Sequence, residues 1–417
     1  MADAPPHILL IVCHDLGRYL GCYGRAAVRT PHLDHLASEG VLCTNHFCTA
    51  PSCSPSRGSL MTGRYPHTNG LMGLVNLGWD LPATERTLPQ YLNDRGYHTV
   101  LCGVQHERRR GAALSYARTL PIAGQRQAPE QAAAVAAFLS DRPAGPLFLS
   151  VGTGETHRPF PLAAGDNAAG PDLALPFLPD HPIVRQQMAG FALLVARLDQ
   201  AVGLLLGALA HHGMAQDTLV IFTTDHGLDM PRAKGTLYDP GIETALLLRW
   251  PGHLPAGRQC DELLSGVDLL PTVLEAVSAP VPTCIQGRSY WPLLQDRAYQ
   301  PRAEVYAEKT HHVDYDPMRC LRTARFKYID NFSWGRHLEI PADVEMDCVT
   351  AVPELCRWRR PVAELYDLAA DPFEQRNLAG QAEHAALTAE LKGRLRQWQR
   401  DTGDPLLASA LPLPPPP

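Results

Sequence analysis

A cysteine at the predicted start of a helix is the first feature of this sequence that could do chemistry. Cys53 begins the segment CSPSRGSL, in which Pro55 suits the first helical turn because that position needs no N–H donor. A thiol among the free N–H groups of a helix amino terminus has a lowered pKa and attracts anions. Arg57, one turn later, would offer its planar guanidinium to the same anion. The segment predicts an anion-binding turn with a reactive thiol; the alternative is a buried structural cysteine.

The elements that must position this turn alternate between strands and helices. Short, branched apolar runs predict buried parallel strands at residues 7–12, 99–102, 147–151, 219–223 and 245–249. Between them lie helical patterns, of which the clearest is an apolar stripe from Phe191 to Leu209 that Gly213 ends. This alternation predicts an α/β fold in which helices cover both faces of a mainly parallel sheet. Ligands in such folds bind at the carboxyl ends of the strands.

The residue pattern of the sequence changes after Trp291 to an alternation of aromatic and charged residues. We predict a catalytic domain over residues 1–296 and a smaller α+β domain over residues 297–410, with a late helix near residues 385–400. The proline-rich residues 411–417 predict a disordered tail.

Composition excludes several classes of protein. The 417 residues carry a formal net charge of −6, which leaves no basic surface for a nucleic-acid partner. The most apolar long stretch, residues 191–210, contains Arg197 and Asp199, so no membrane span is predicted. The amino terminus lacks the pattern of a signal peptide, and the 11 cysteines lack disulfide or zinc spacing, so we expect a cytoplasmic protein with reduced thiols. The oligomeric state stays open, a homo-oligomer included.

Five segments in order resemble the sulfatase family. The segment CSPSRGSLMTGRYPHTNGL resembles the sulfatase signature, and similar segments are ILLIVCHDLGRYLGCYG, LVIFTTDHG, AKGTLYDPG and ELYDLAADPFEQRNLAG. The segments ETHRPF and ARLDQAVGLLLGALAHHGMAQDTLVIFTTDHG are similar to the N-sulfoglucosamine sulfohydrolase (heparan N-sulfatase) branch. The resemblance implies an alkaline-phosphatase-like fold and a hydrolase of organic sulfate esters or sulfamates. A small sulfated saccharide is the expected substrate.

The resemblance also implies a nucleophile and a metal site. Cys53 would be oxidised by a formylglycine-generating maturation enzyme to Cα-formylglycine, whose hydrate attacks sulfur. The implied metal ligands are the modified residue at position 53 and four residues that follow two predicted strands: His14, Asp15, Asp225 and His226. The family usually has an aspartate where this chain has His14. Oxygen ligands favour Ca²⁺, the expected ion, whereas the imidazole of His14 suits Mn²⁺ or another transition metal, or a place outside the ligand set.

Three further residues match the family's sulfate-binding and acid groups: His106, His157 and Lys234. The family motif GKxH is altered here, because Val104 stands where the lysine that contacts the sulfate is expected. Replacements would have to come from Gln105 or from the arginines 108–110. Removing one anion-stabilising donor costs roughly 3 kcal/mol of barrier.

Two alternatives remain open at this stage. A phosphonate or phosphate ester hydrolase of the same superfamily could share the nucleophile turn and the metal site, and a transition metal at His14 and His226 favours it. A catalytically silent relative that binds sulfated ligands is the other, and Val104 is its main support. The retention of Cys53 and Arg57 together with the other matched residues argues against a silent protein.

Overall fold

A nine-stranded sheet forms the centre of the computed structural model, which describes residues 5–109, 114–122, 127–161, 173–341, 344 and 349–408. Its strands are β1 (His7–Cys13), β2 (Val41–Phe47), β3 (His98–Gly103), β4 (Arg118–Thr119), β5 (Leu147–Gly152), β6 (Thr218–Thr224), β7 (Glu243–Arg249), β8 (Arg258–Cys260) and β9 (Leu264–Ser265). Across the sheet they run in the order β4-β3-β5-β1-β6-β7-β2-β8, with β9 beside β2. The predicted α/β class and mainly parallel sheet are confirmed.

One strand runs against the others. All five predicted strands are present, but the parallel direction predicted for residues 245–249 is wrong, because β7 is antiparallel to both β6 and β2. The chain after β6 folds back at the edge of the sheet where β6 ends, and there Gly227 N donates to Gly241 O over 2.9 Å. As a result, β7 begins beside the point where β6 ends.

Helices cover both faces of the sheet. In chain order the α-helices of the described chain are α1 (Pro31–Ser38), α2 (Cys53–Thr62), α3 (Pro66–Asn69), α4 (Leu88–Asn93), α5 (Ala128–Leu139), α6 (Pro182–His211), α7 (Asp239–Ile242), α8 (Leu269–Ala276), α9 (Trp291–Leu294), α10 (Pro353–Arg357) and α11 (Ala385–Thr402). Leu9 and Ile11 of β1 pack with α1, α5 and α6, whereas Ile8 and Leu10 pack with α2, α4 and α8 on the other face. A strand buried on both faces explains the continuous apolar run in β1.

The longest helix, α6, contains the predicted apolar stripe. By length and composition alone it is the one helix in the described chain that could cross a membrane, and 50% of its most apolar window is buried inside the protein. The fully buried Phe191, Val195 and Leu198 pack in the core with the sheet residues. A buried core helix of a globular domain passes the same composition test, so this helix gives no argument for a membrane protein.

A second, antiparallel sheet follows. It contains β10 (Glu304–His311), β11 (Tyr315–Thr323), β12 (Phe326–Asn331) and β13 (Ala363–Asp367) in that order, and α11 lies where the late helix was predicted. Glu308 N donates to Thr49 O over 2.8 Å, so β10 packs against the segment that precedes Cys53. The domain boundary at residue 297 stays a prediction, and the predicted tail 411–417 lies outside the described residues.

Candidate active site

The two His/Asp pairs meet at the carboxyl ends of neighbouring strands. His14 and Asp15 follow β1, Asp225 and His226 follow β6, and β1 pairs with β6 in parallel. Asp15 N donates to Asp225 Oδ1 over 3.0 Å, and His226 Nε2 lies 2.9 Å from Asp15 Oδ1. Asp15 turns sharply out of the strand with a φ of 51°, a left-handed conformation that is uncommon for a residue with a side chain. The turn brings its carboxylate between the two strand ends.

Cys53 is the first residue of α2 and faces these pairs. Its Sγ lies 3.4 Å from His226 Nε2 and 4.0 Å from Asp15 Oδ1. Burial and the carboxylates of Asp15 and Asp225 oppose ionisation, but His226 and a hydrogen bond with His106 hold the pKa of Cys53 well below its usual range. The predicted helix start is confirmed, and the thiol points into a pocket of charged groups.

Arg57 is buried on the same helix and contacts the ends of both strands. Its Nε donates to Asp225 Oδ2 over 3.0 Å, and its Nη2 donates to Cys13 O over 3.1 Å. The anion that this guanidinium contacts is therefore the carboxylate of Asp225. Arg57 positions that carboxylate and ties α2 to β1.

Asp225 is the centre of the cluster. Besides Arg57, the backbone N–H groups of Asp15 and His226 donate to its Oδ1. Burial disfavours its charge, but His226, His14 and Arg57 together hold the pKa of Asp225 well below its usual range. The Asp225 carboxylate in turn outweighs burial and raises the pKa of His14 to about 9. Asp225 is thus ionised at neutral pH.

The residues present fit a divalent cation. His14 Nδ1 is buried and lies 3.0 Å from Asp225 Oδ2. A neutral imidazole nitrogen and a carboxylate oxygen that face each other in this way can both bind one cation. His14, Asp15, Cys53 and Asp225 each offer one ligand atom, and these atoms lie within 4.8 Å of one another. The set mixes carboxylate and imidazole, so it suits Ca²⁺ through oxygen and Mn²⁺ through both.

Lys234 is buried between two carboxylates. Its Nζ donates to Asp15 Oδ2 over 2.9 Å and to Asp229 Oδ2 over 3.2 Å. The guanidinium of Arg158 holds the other side of Asp229, with its Nε donating to the Asp229 carbonyl over 3.2 Å. Sequence reasoning missed Asp229 and Arg158. The signal for Asp229 was its place between Asp225 and Lys234, which the sequence alone could not separate from an ordinary turn.

Two histidines border the cluster from the next strands of the sheet. His106 follows β3 and His157 follows β5; their ring centroids lie 5.0 Å and 5.5 Å from that of His14. His157 Nε2 is 3.9 Å from Asp15 Oδ2, and its side chain is 36% exposed. The two loops pack closely because Gly152 lacks a Cβ, which would lie only 1.7 Å from Val104 O. Both histidines are only partly buried, so they line the part of the site that solvent can reach.

The described residues near Val104 do not supply a replacement cation. The Gln105 side chain accepts hydrogen bonds from two backbone N–H groups and donates to Arg108 O, so its amide is used within the loop. Arg108 is half-buried and contacts the Pro82 carbonyl, whereas Arg109 is exposed and contacts Asp80. Arg110 lies outside the described residues. Lys234 is therefore the buried lysine that reaches this cluster within the described chain.

Glu107, beside His106, is a second residue that sequence reasoning missed. Its side chain is buried, and burial raises the pKa of Glu107 to about 7. The positive charge of Arg57 opposes this shift. A carboxyl group that is half ionised near neutral pH therefore lies behind the nucleophile helix.

Comparison with known proteins agrees with this arrangement. The sequence model "Sulfatase" matches residues 6–113 and 128–279, and "N-sulphoglucosamine sulphohydrolase, C-terminal" matches residues 230–348. Human N-sulphoglucosamine sulphohydrolase is 30% identical over 96% of this chain and 91% of its own length. An "Ulvan-active sulfatase" of Formosa agariphila is 28% identical over 96% of this chain and 75% of its own.

Solved structures share the fold. "BT4656 in complex with its substrate D-Glucosamine-2-N, 6-O-disulfate" has a TM-score of 0.75 at 21% identity and covers 96% of this chain and 98% of its own. "BT1596, a 2-O GAG sulfatase" has a TM-score of 0.79 at 20% identity over 98% and 95%. The resemblance inferred from the sequence is confirmed, and this chain belongs to the sulfatase family of hydrolases.

Proposed function

We propose that this sulfatase removes sulfate from a small sulfated saccharide built on glucosamine, as an N-sulfamate or an O-sulfate ester. The observation that carries the proposal is the convergence of a thiol at the start of α2 with two His/Asp pairs and a buried lysine at the strand ends. The family and the names of two relatives support the sugar: the human relative is a sulphoglucosamine sulphohydrolase, and BT4656 has a glucosamine disulfate as substrate.

We further propose that Cys53 is matured to formylglycine and that a divalent cation binds beside it. The aldehyde hydrate would supply the nucleophilic oxygen, and the cation would stabilise charge on the sulfate oxygens. The maturation enzyme is then a required partner. His14, Asp15, Asp225 and His226 would hold the cation, with Ca²⁺ as the first candidate and Mn²⁺ as the ion that the imidazole ligands favour.

The side chains around the nucleophile have separable tasks in this proposal. His226 Nδ1 lies 3.0 Å from Gly227 O, which leaves Nε2, 3.4 Å from the Cys53 Sγ, as the atom that would hold the cation. Lys234 would stabilise the negative charge of the sulfate, and its pairing with Asp15 fixes its position. His157 is partly exposed, so it can give a proton to the leaving nitrogen or oxygen. His106 hydrogen-bonds position 53.

Mass spectrometry and sulfate release test the proposal together. The peptide containing Cys53 should carry an aldehyde in protein from a host with a maturation enzyme, and elemental analysis should identify the bound ion. The matured protein should release sulfate from N-sulfoglucosamine or glucosamine 6-O-sulfate, and Cys53→Ala should abolish turnover while the urea unfolding curve stays close to the parent's. Release from an aryl phosphonate at a much higher kcat/KM than from the matched aryl sulfate would identify a phosphonate hydrolase instead.

A further inference from the structure

Two aromatic rings remain exposed at one end of the small sheet. Trp334 is 67% exposed and Tyr315 is 42% exposed. An aromatic face is apolar and rigid, and its polar edge tolerates water, so it suits a ligand that is itself partly apolar. The C–H face of a pyranose ring is such a surface. Such rings can contact a substrate only if they lie near the entrance to the active site.

This end of the small sheet borders the nucleophile turn. His312 directly follows β10, and a Cβ placed on Gly235 would lie 3.5 Å from both His312 Nδ1 and Glu339 Oε1. Gly235 adjoins Lys234, and its N–H donates to Pro51 O over 2.9 Å, two residues before Cys53. The antiparallel register places the end of β10, the start of β11, the end of β12 and the start of β13 together at this end. The end of the small sheet that carries the exposed rings therefore adjoins the segment that contains Lys234.

The two segments that carry the rings are joined by a hydrogen bond. Tyr315 begins β11, and the guanidinium of Arg336 donates to the Tyr315 carbonyl, which ties the turn carrying Trp334 back to that strand. The ring centroid of His311 lies 5.1 Å from that of Tyr315, and the ring of Trp79 lies 5.0 Å behind His311. Tyr315 is thus backed by a row of rings that starts at a buried tryptophan.

The charges beside the rings match an anionic sugar. Arg336 is half exposed, with its Nη2 3.5 Å from the exposed Asp314. Arg359 is exposed and donates from Nη1 to Gly335 O over 2.8 Å, next to Trp334. The exposed ion pair of Arg336 with Asp314 is weak, so a sulfate can compete for that guanidinium group. Aromatic faces flanked by guanidinium groups favour a sulfated sugar over a neutral one.

We propose that Tyr315 and Trp334 form an aromatic shelf that binds a second sugar ring, next to the ring whose sulfate is removed. A sulfated oligosaccharide of two or more units is then a better substrate than a single sugar. The identity of the ligand rests on the proposed function above. The shelf itself rests on the exposure of the rings, the register of the small sheet and the contacts of Gly235.

Chain-length selectivity tests the shelf. The ratio of kcat/KM for a tetrasaccharide with terminal N-sulfoglucosamine to that for the free monosaccharide should fall about three- to tenfold in Trp334→Ala, because one aromatic contact is lost. Trp334→Phe, which keeps a ring, should recover most of the ratio. Leu204→Ala, which removes an exposed side chain on α6, is the matched control and should leave the ratio unchanged. An unchanged ratio in Trp334→Ala would overturn the shelf.

A binding measurement separates the shelf from the chemistry. Cys53→Ala should bind the tetrasaccharide with a change in tryptophan fluorescence, and adding Trp334→Ala should weaken that binding three- to tenfold. If the matured parent releases no sulfate but this difference in binding remains, the proposed function fails and the shelf stands. If sulfate is released from both sugars while Trp334→Ala leaves tetrasaccharide binding unchanged, the shelf fails and the proposed function stands.

Discussion

Replacing Lys234 by methionine would remove the lysine that lies between the buried carboxylates of Asp15 and Asp229. Lys234 is 2.9 Å from Asp15 and 3.2 Å from Asp229, and all three side chains are at most 2% exposed. Methionine keeps most of the volume, so the change is chiefly one of charge. Breaking a buried pair by removing one partner costs about 3–5 kcal/mol, because the other charge stays buried. We expect the free energy of unfolding of Lys234→Met to fall by that amount.

The same substitution should lower turnover for a different reason. A donor that stabilises developing charge contributes about 10²–10³ in kcat, so the sulfate-releasing activity of Lys234→Met should fall by that factor. Adding Asp229→Asn removes one of the two carboxylates that lose Lys234 as a partner and should recover about 1–3 kcal/mol of the lost stability. The double variant should recover none of the activity, because the positive charge of Lys234 is still missing.

The assays are urea unfolding with a chelator present and sulfate release with Ca²⁺ or Mn²⁺ added. The chelator matters because a bound cation would neutralise Asp15 and hide part of the loss in stability. A free energy of unfolding within about 1 kcal/mol of the parent's would refute the electrostatic argument. Recovery of kcat in the double variant would show that Lys234 acts only by neutralising Asp229.

Three further changes have defined outcomes. Arg57→Lys keeps the charge but not the fork that holds Asp225, so kcat should fall about 10–100-fold, and an unchanged kcat would contradict the positioning role. Burial raises the pKa of Glu107 from 4.5 to about 7, so as the pH rises the Glu107 carboxyl loses its proton in the unfolded state before it does so in the folded state. The free energy of unfolding should therefore fall by about 3 kcal/mol between these two pH values. Glu107→Gln should lack this pH dependence in urea unfolding. Gly152→Ala drives a Cβ into a backbone oxygen 1.7 Å away and should lower the free energy of unfolding by about 2 kcal/mol or more, whereas Gly207→Ala, with open space in α6, should raise it by about 0.5–1 kcal/mol.

The sequence was sufficient to predict those strands and helices that are determined by a local pattern of apolar residues. Continuous apolar runs identified five strands, and the stripe from Phe191 to Leu209 identified α6. The strand β2 was missed because its apolar run is broken by three consecutive polar residues, Thr44 to His46, and only pairing with β7 and β8 makes it part of the sheet. The direction of β7 depends on how residues 225–242 fold back, which is a tertiary property that no local pattern records.

The candidate site likewise contains residues whose places could be predicted from the sequence and residues whose places could not. The rule for strand ends was sufficient to place His14 and Asp225 in one site, and the resemblance to sulfatases added Cys53 to it. The partner of Arg57 could not be predicted, because it depends on which carboxylate the packing brings within reach. Asp229 was also beyond prediction, since its role depends on a lysine five positions later turning back to meet it.

The depth of Cys53 has a consequence for the order of events during protein synthesis. The thiol is 5% exposed, and His226, which lies 3.4 Å from it, is 173 positions later in the chain. An enzyme that oxidises this thiol therefore has a limited interval, from the synthesis of residue 53 until residues 225–235 pack over it. A molecule that folds before it is modified keeps its thiol, so the active fraction of a preparation would depend on the relative speed of folding and oxidation.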